Sequence, residues 1–100
     1  MTIRHIVVWK LKEEDAATKA ALIEDIRVRV EALADIIPQV HNLSVRANHP
    51  DRANTGDVVL EAEFDNFDDM TTYLTHPEHV DGVNFVKPLV ASGLTVDYEF

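Results

Sequence analysis

The sequence contains no cysteine. That excludes a disulfide framework, a thiolate nucleophile and cysteine-ligated metal centres, and it fits a reducing compartment. Three scattered glycines cannot build a phosphate-cradling loop, and no Gly-x-Ser-x-Gly nucleophile elbow occurs. Basic residues are scarce: nine Lys and Arg against eighteen Asp and Glu leave a net charge of −9. Nucleic acid and anionic membrane surfaces both need clustered cations, so neither is an expected partner. No apolar run approaches membrane-spanning length, and Met1-Thr2-Ile3-Arg4-His5 enters a strand-like stretch without an apolar signal core. A cytoplasmic location is the expectation.

Against these absences stands a hydrophobic content of 46% over 100 residues, the profile of one globular domain spanning 1–100. Ile3–Leu11 alternates as a strand, with Ile3, His5, Val7, Trp9 and Leu11 on one face and Ile6 and Val8 on the other. Between Asp15 and Ile37, Ile23, Ile26, Val30, Leu33 and Ile37 recur at 3,4,3,4 spacing and predict one helix, stopped by Pro38. Val40–Ala47 and Val58–Phe64 read as strands around a polar turn segment, 48–57. Asp65 is expected to cap a second helix with the buried stripe Phe67, Met70 and Leu74. That helix breaks at His76-Pro77, and a further helical segment follows. Leu94–Phe100 closes the chain as a strand.

The order β-α-β-β-α-β is the α+β, ferredoxin-like split pattern: a four-stranded antiparallel sheet with helices on one face. Because the first strand is apolar on both sides, the uncovered face should be apolar too. A homodimer joined through that sheet face would shelter it.

The residues able to carry acid–base chemistry centre on Tyr73-Leu74-Thr75-His76-Pro77-Glu78-His79. On one continuous helix Tyr73 and His79 would diverge, but the break at Pro77 lets both converge on one opening. His79 heads an apolar stripe with Val83, Val86 and Val90, so partial desolvation should leave it neutral and available as a base. Structural roles compete for each: a core histidine held by one hydrogen bond for His79, and an amphipathic ring with a wet hydroxyl for Tyr73. His5 would pack in the dimer cavity, and His76 would serve as a cap. His5, Val7, Trp9 and Val83 are the expected pocket lining. His76 and His79 lack the spacing of a metal site, so no metal and no cofactor is expected.

Ile3-Arg4-His5-Ile6-Val7-Val8-Trp9-Lys10-Leu11-Lys12, Ile36-Ile37-Pro38-Gln39-Val40 and Tyr73-Leu74-Thr75-His76-Pro77-Glu78-His79-Val80 together resemble the stress-responsive α/β-barrel domain family (Dabb). The resemblance implies a dimeric α/β barrel enclosing a cavity, without implying one activity. Some members resemble polyketide cyclases, in which a His and a Tyr of this run close a linear poly-β-ketone by aldol chemistry without a cofactor. Carried over, those residues are His79 and Tyr73, with the first-strand His5 beside them.

Two functions follow. In one, a small apolar metabolite binds in the dimer cavity with no assigned activity. In the other, His79 and Tyr73 make the protein a cofactor-independent, cyclase-like enzyme. Trp9, on the same face as His5, would occupy part of the space a long substrate needs.

Overall fold

The computed structural model describes residues 1–52 and 55–100. Over these residues the elements run β1 (Ile3–Leu11), α1 (Ala16–Glu31), α2 (Leu33–Ile36), β2 (His41–Ala47), β3 (Val58–Phe64), α3 (Phe67–Thr75), α4 (Pro77–Val86) and β4 (Val90–Glu99). The strands form one antiparallel sheet in the order β2-β3-β1-β4, and the helices cover one of its faces. This is the ferredoxin-like βαββαβ arrangement that the sequence predicts. Ala53 and Asn54, part of the predicted turn segment, lie outside the described residues. The rest of that segment contains a short 3₁₀ turn at Pro50–Arg52. Among the described residues no helix is long and apolar enough to cross a membrane.

Three local expectations need correction. The first helix is not continuous: after Glu31 it tightens at Ala32, where the Asp35 amide bonds to the Ala32 carbonyl at 3.2 Å, and α2 follows as a separate turn. The cap of α3 is Asn66 rather than Asp65, because the Asn66 side chain accepts from the Asp69 amide at 2.8 Å. The buried stripe of α3 is Met70 and Tyr73, whereas Phe67 is 46% exposed. Asp15 caps α1 through the Thr18 amide, and Pro77 opens α4, as its place after His76 predicts.

The core lies between sheet and helices. Ile3, Leu11, Leu60, Ala62 and Phe64 meet Ile26, Val30, Leu33, Ile37 and Tyr73 there. Asp57 fastens one end of this layer. Its amide donates to the Trp9 carbonyl (2.9 Å), and its buried carboxylate accepts from the Leu11 amide (2.8 Å) and from Lys19 of α1 (3.0 Å). The carboxylate thus ties the β1–β3 corner to a helix that touches neither strand end through backbone bonds. Burial pushes its carboxyl up, but the Leu11 amide with Lys19 and Lys10 outweighs burial and holds it below the usual carboxylate range.

The uncovered sheet face is divided. On β1 and β4 it presents Ile6, Val8, Leu94, Val96 and Tyr98, with Phe100 just beyond, and Leu94, Val96 and Phe100 are more than half exposed. On β2 and β3 it is polar, so the apolar face expected from the first strand extends over only part of the sheet. Arg4 pairs with Glu63 at 2.7 Å, Asn42 donates to the same carboxylate at 2.9 Å, and Arg46 and Glu61 lie nearby. The cause is the wet alternate positions of β3, Glu61 and Glu63.

Asp57→Asn leaves Lys19 and the Leu11 amide with a weaker partner. It should lower stability to urea unfolding at pH 7 by about 1–3 kcal/mol. A carboxyl held low in the folded state stabilises fully above its unfolded pKa and loses that contribution as the pH falls through its folded pKa. The gap between wild type and variant should therefore narrow as the pH drops from about 5 towards 3. A gap that stays constant over that range contradicts the assignment.

Candidate functional site

Pro77 decides the local geometry. It has no amide hydrogen, so the Tyr73 carbonyl cannot receive a helical bond from position 77. It takes the His76 amide instead, at 3.2 Å. His76 is extended and caps α4, its Nδ1 accepting from the Glu78 amide at 3.1 Å. With the Glu78 amide so engaged, the Leu74 carbonyl is left over, and His79 Nδ1 donates to it at 2.9 Å. A carbonyl can only accept, so Nδ1 carries the proton and Nε2 of the neutral ring keeps its lone pair.

This bond sets the His79 imidazole against the Tyr73 phenol, with ring centroids 4.5 Å apart. Tyr73 packs in turn on Phe64 at 5.2 Å, and Phe64 meets His5 edge-on at 6.4 Å. The His5 ring is buried, and its Nδ1 donates to Asp97 Oδ1 at 2.5 Å across the β1–β4 pairing that sets these residues opposite each other. Burial pushes the Tyr73 phenol up to about 12, so it is a neutral donor at any physiological pH. The hydroxyl has no hydrogen-bond partner among the described residues. Burial also depresses His79 below the usual histidine value. The Leu74 carbonyl opposes this, while His5 and His76 reinforce it.

These groups border a cavity of about 410 Å³ between the sheet and the helices. His5, Val7 and Trp9 of β1, Gly93 and Thr95 of β4, Tyr73 and Leu74 of α3, and His79, Val83 and Val86 of α4 line it. Every residue singled out from the sequence, His79, Tyr73, His5, Val7, Trp9 and Val83, borders this space. Trp9 does not fill it: its ring passes over Gly93, where a Cβ would stand 3.0 Å from Trp9 Cδ1.

One expectation is overturned. The cavity lies inside one chain, on the helix side of the sheet, and not between two sheets, because the odd-numbered residues of β1 face the helices. Three polar residues, Thr95, Asp97 and Lys87, escaped the sequence reading. Asp97 was detectable only through the β1–β4 register, which places Gly93, Thr95 and Asp97 on one face. Lys87, eight residues after His79 on the same helical side, also lines the cavity. Among the described residues no group of three His, Asp or Glu side chains is placed to hold a metal ion.

Known proteins share this arrangement. The family model for the Stress Responsive A/B Barrel Domain (Dabb) matches residues 3–100. The chain belongs to the Dabb family. A dimeric ferredoxin-like protein of unknown function from Bacteroides fragilis is 33% identical, with a TM-score of 0.87, covering 99% of this chain and 96% of its own. A Dabb family protein from Mesorhizobium loti is 24% identical, with a TM-score of 0.78, covering 99% and 96%. The hydroxynitrile lyase of Passiflora edulis is 18% identical with a TM-score of 0.78, covering 97% and 91%, a likeness of fold. A search of curated proteins found no match.

In this Dabb chain the depressed His79 is predicted to titrate below about 6.5, the ordinary histidine value. Its folded pKa lies below the unfolded one, so protonation destabilises the fold, increasingly as the pH falls below that value. Following the His79 Cε1–H resonance by NMR against pH tests this. A midpoint above the ordinary value contradicts the buried, neutral imidazole.

Proposed function

We propose that the cavity of each chain binds a small, largely apolar metabolite and carries out cofactor-independent, aldol-type proton-transfer chemistry on it, as in cyclisation of a polyketide-like substrate. The observation that carries the reading is the neutral His79 imidazole. Its Nδ1 is committed to the Leu74 carbonyl, and it stands against the Tyr73 phenol at the wall of an open apolar cavity. The volume falls in the range of small-molecule sites, which are typically 300–1,000 Å³.

The step balances without a further reagent. Nε2 of His79 takes the proton from a carbon flanked by two carbonyls, and the enolate oxygen accepts a hydrogen bond from the Tyr73 hydroxyl. The enolate carbon attacks a second carbonyl carbon, forming the new C–C bond and an alkoxide. The imidazolium returns its proton to that alkoxide. His5, oriented by Asp97, acts as a positioning residue on the sheet side. The apolar lining strengthens each of these few polar contacts.

A second reading, binding without catalysis, shares the same cavity and is separated from the first by rate. On a polyketide-like β-ketoacyl thioester that the wild type cyclises, His79→Ala should cost about 10²–10⁴-fold in kcat. Tyr73→Phe should cost about 10²–10³-fold, the price of one oxyanion donor. Turnover equal to wild type in His79→Ala, with the substrate still bound in the cavity, removes the base and leaves the binding protein.

Two such chains are further proposed to join through the uncovered face of β1 and β4, forming the dimeric barrel. Leu94 and Val96 on an edge strand, with Phe100 just beyond it, are a large apolar surface for a lone domain. The relative from Bacteroides fragilis is described as dimeric. Light scattering should give twice the 11.3 kDa chain mass, and Val96→Asp should shift it towards one. A wild-type monomer contradicts the proposal.

A further inference from the structure

Lys87 follows α4 directly and stands at the border of the cavity. Among the described residues it is the single lysine or arginine lining that space, and its ammonium has no ion pair with any of them. No carboxylate lines the cavity, and the nearby Asp97 is turned to His5 at 2.5 Å. The side chain itself is exposed at the rim. A cationic residue among otherwise mostly aliphatic and aromatic lining, in a chain of net charge −9, is a local reversal of the surrounding field.

Resting on the reading of the cavity as a small-molecule site, we propose that Lys87 is a specificity residue for acids. It holds the carboxylate of an apolar ligand at the rim, while the rest of the ligand enters towards Tyr73 and His79. The spacing sets the ligand's length. His79 and Lys87 are eight residues apart, which at ~1.5 Å per residue is roughly 12 Å along the helical direction. A ligand that spans both ends must be extended and carry its charge at one terminus. A carboxylate buried beside Tyr73 instead would meet no cation there. The only other service the lysine performs is to place positive charge at the C-terminal end of α4, which acts on stability and not on ligand choice.

The test compares 4-hexylbenzoate with its neutral counterpart 4-hexylbenzamide, each titrated into ¹⁵N-labelled protein. Shifts at the amides of Gly82, Gly93 and Thr95 report occupancy of the cavity. In the wild type the acid should bind about tenfold more tightly than the amide, the order expected of one partly solvated charge-assisted contact. In Lys87→Met the gap should close to less than twofold with the amide's affinity unchanged, and in Lys87→Arg it should persist. Thermal melting of the variants separates any effect of the charge on α4. Equal affinities in the wild type, or a gap that survives Lys87→Met, overturn the role of Lys87 while leaving the cavity a binding site. Failure of both probes to shift the three amides overturns the binding reading and the acid specificity with it.

Discussion

One hydrogen bond organises the site: the Leu74 carbonyl accepting from His79 Nδ1 across the break between α3 and α4. It exists because Pro77 lacks an amide hydrogen and His76 has drawn off the Glu78 amide, leaving one helical carbonyl unclaimed. An unclaimed carbonyl in a half-buried position is costly, and the imidazole satisfies it. The same contact fixes the tautomer, turns the second ring nitrogen away from the backbone, and sets the ring against Tyr73. Local backbone accounting and the chemistry of the site are therefore one event.

The cavity is a second feature, the space left between one sheet face and the helices, with α3 and α4 broken at His76-Pro77. Near Ile3, Phe64 and Tyr73 the layers close completely. Towards Trp9 and Gly93 they part, with the Trp9 ring lying over Gly93, which offers no side chain. Rigidity comes from the edge-on and tilted rings of His5, Phe64, Tyr73 and His79 at the closed end, and from Asp57 at the β1–β3 corner beside Trp9 and Leu11 at the other. The open end gives space. A preorganised imidazole and phenol beside an apolar void are what cofactor-free proton transfer requires of a protein.

Much of this was legible in the residues. Alternation in Ile3–Leu11 and Val58–Phe64, the 3,4 spacing from Ile23 to Ile37 and the Pro77 break predict the element order and bring His5, Tyr73 and His79 to one space. The sidedness of that space was not legible. Strand alternation separates two faces but does not say which one the helices cover, and the pocket was accordingly expected between two sheets. Asp97 was invisible for a related reason: its partner is 92 positions away, and only the pairing of β1 with β4 sets the two side chains together. The burial of Tyr73 and the exposure of Phe67 likewise depend on how α3 is turned against the sheet, which the spacing alone does not fix.

The account stands on the state of one ring. Long-range ¹H–¹⁵N correlation spectra of the wild-type protein at pH 7 read it directly. The predicted result is a His79 imidazole protonated at Nδ1, with Nε2 showing the shift of an unprotonated, lone-pair nitrogen. A ring protonated at Nε2 alone, or at both nitrogens, contradicts the account at its root.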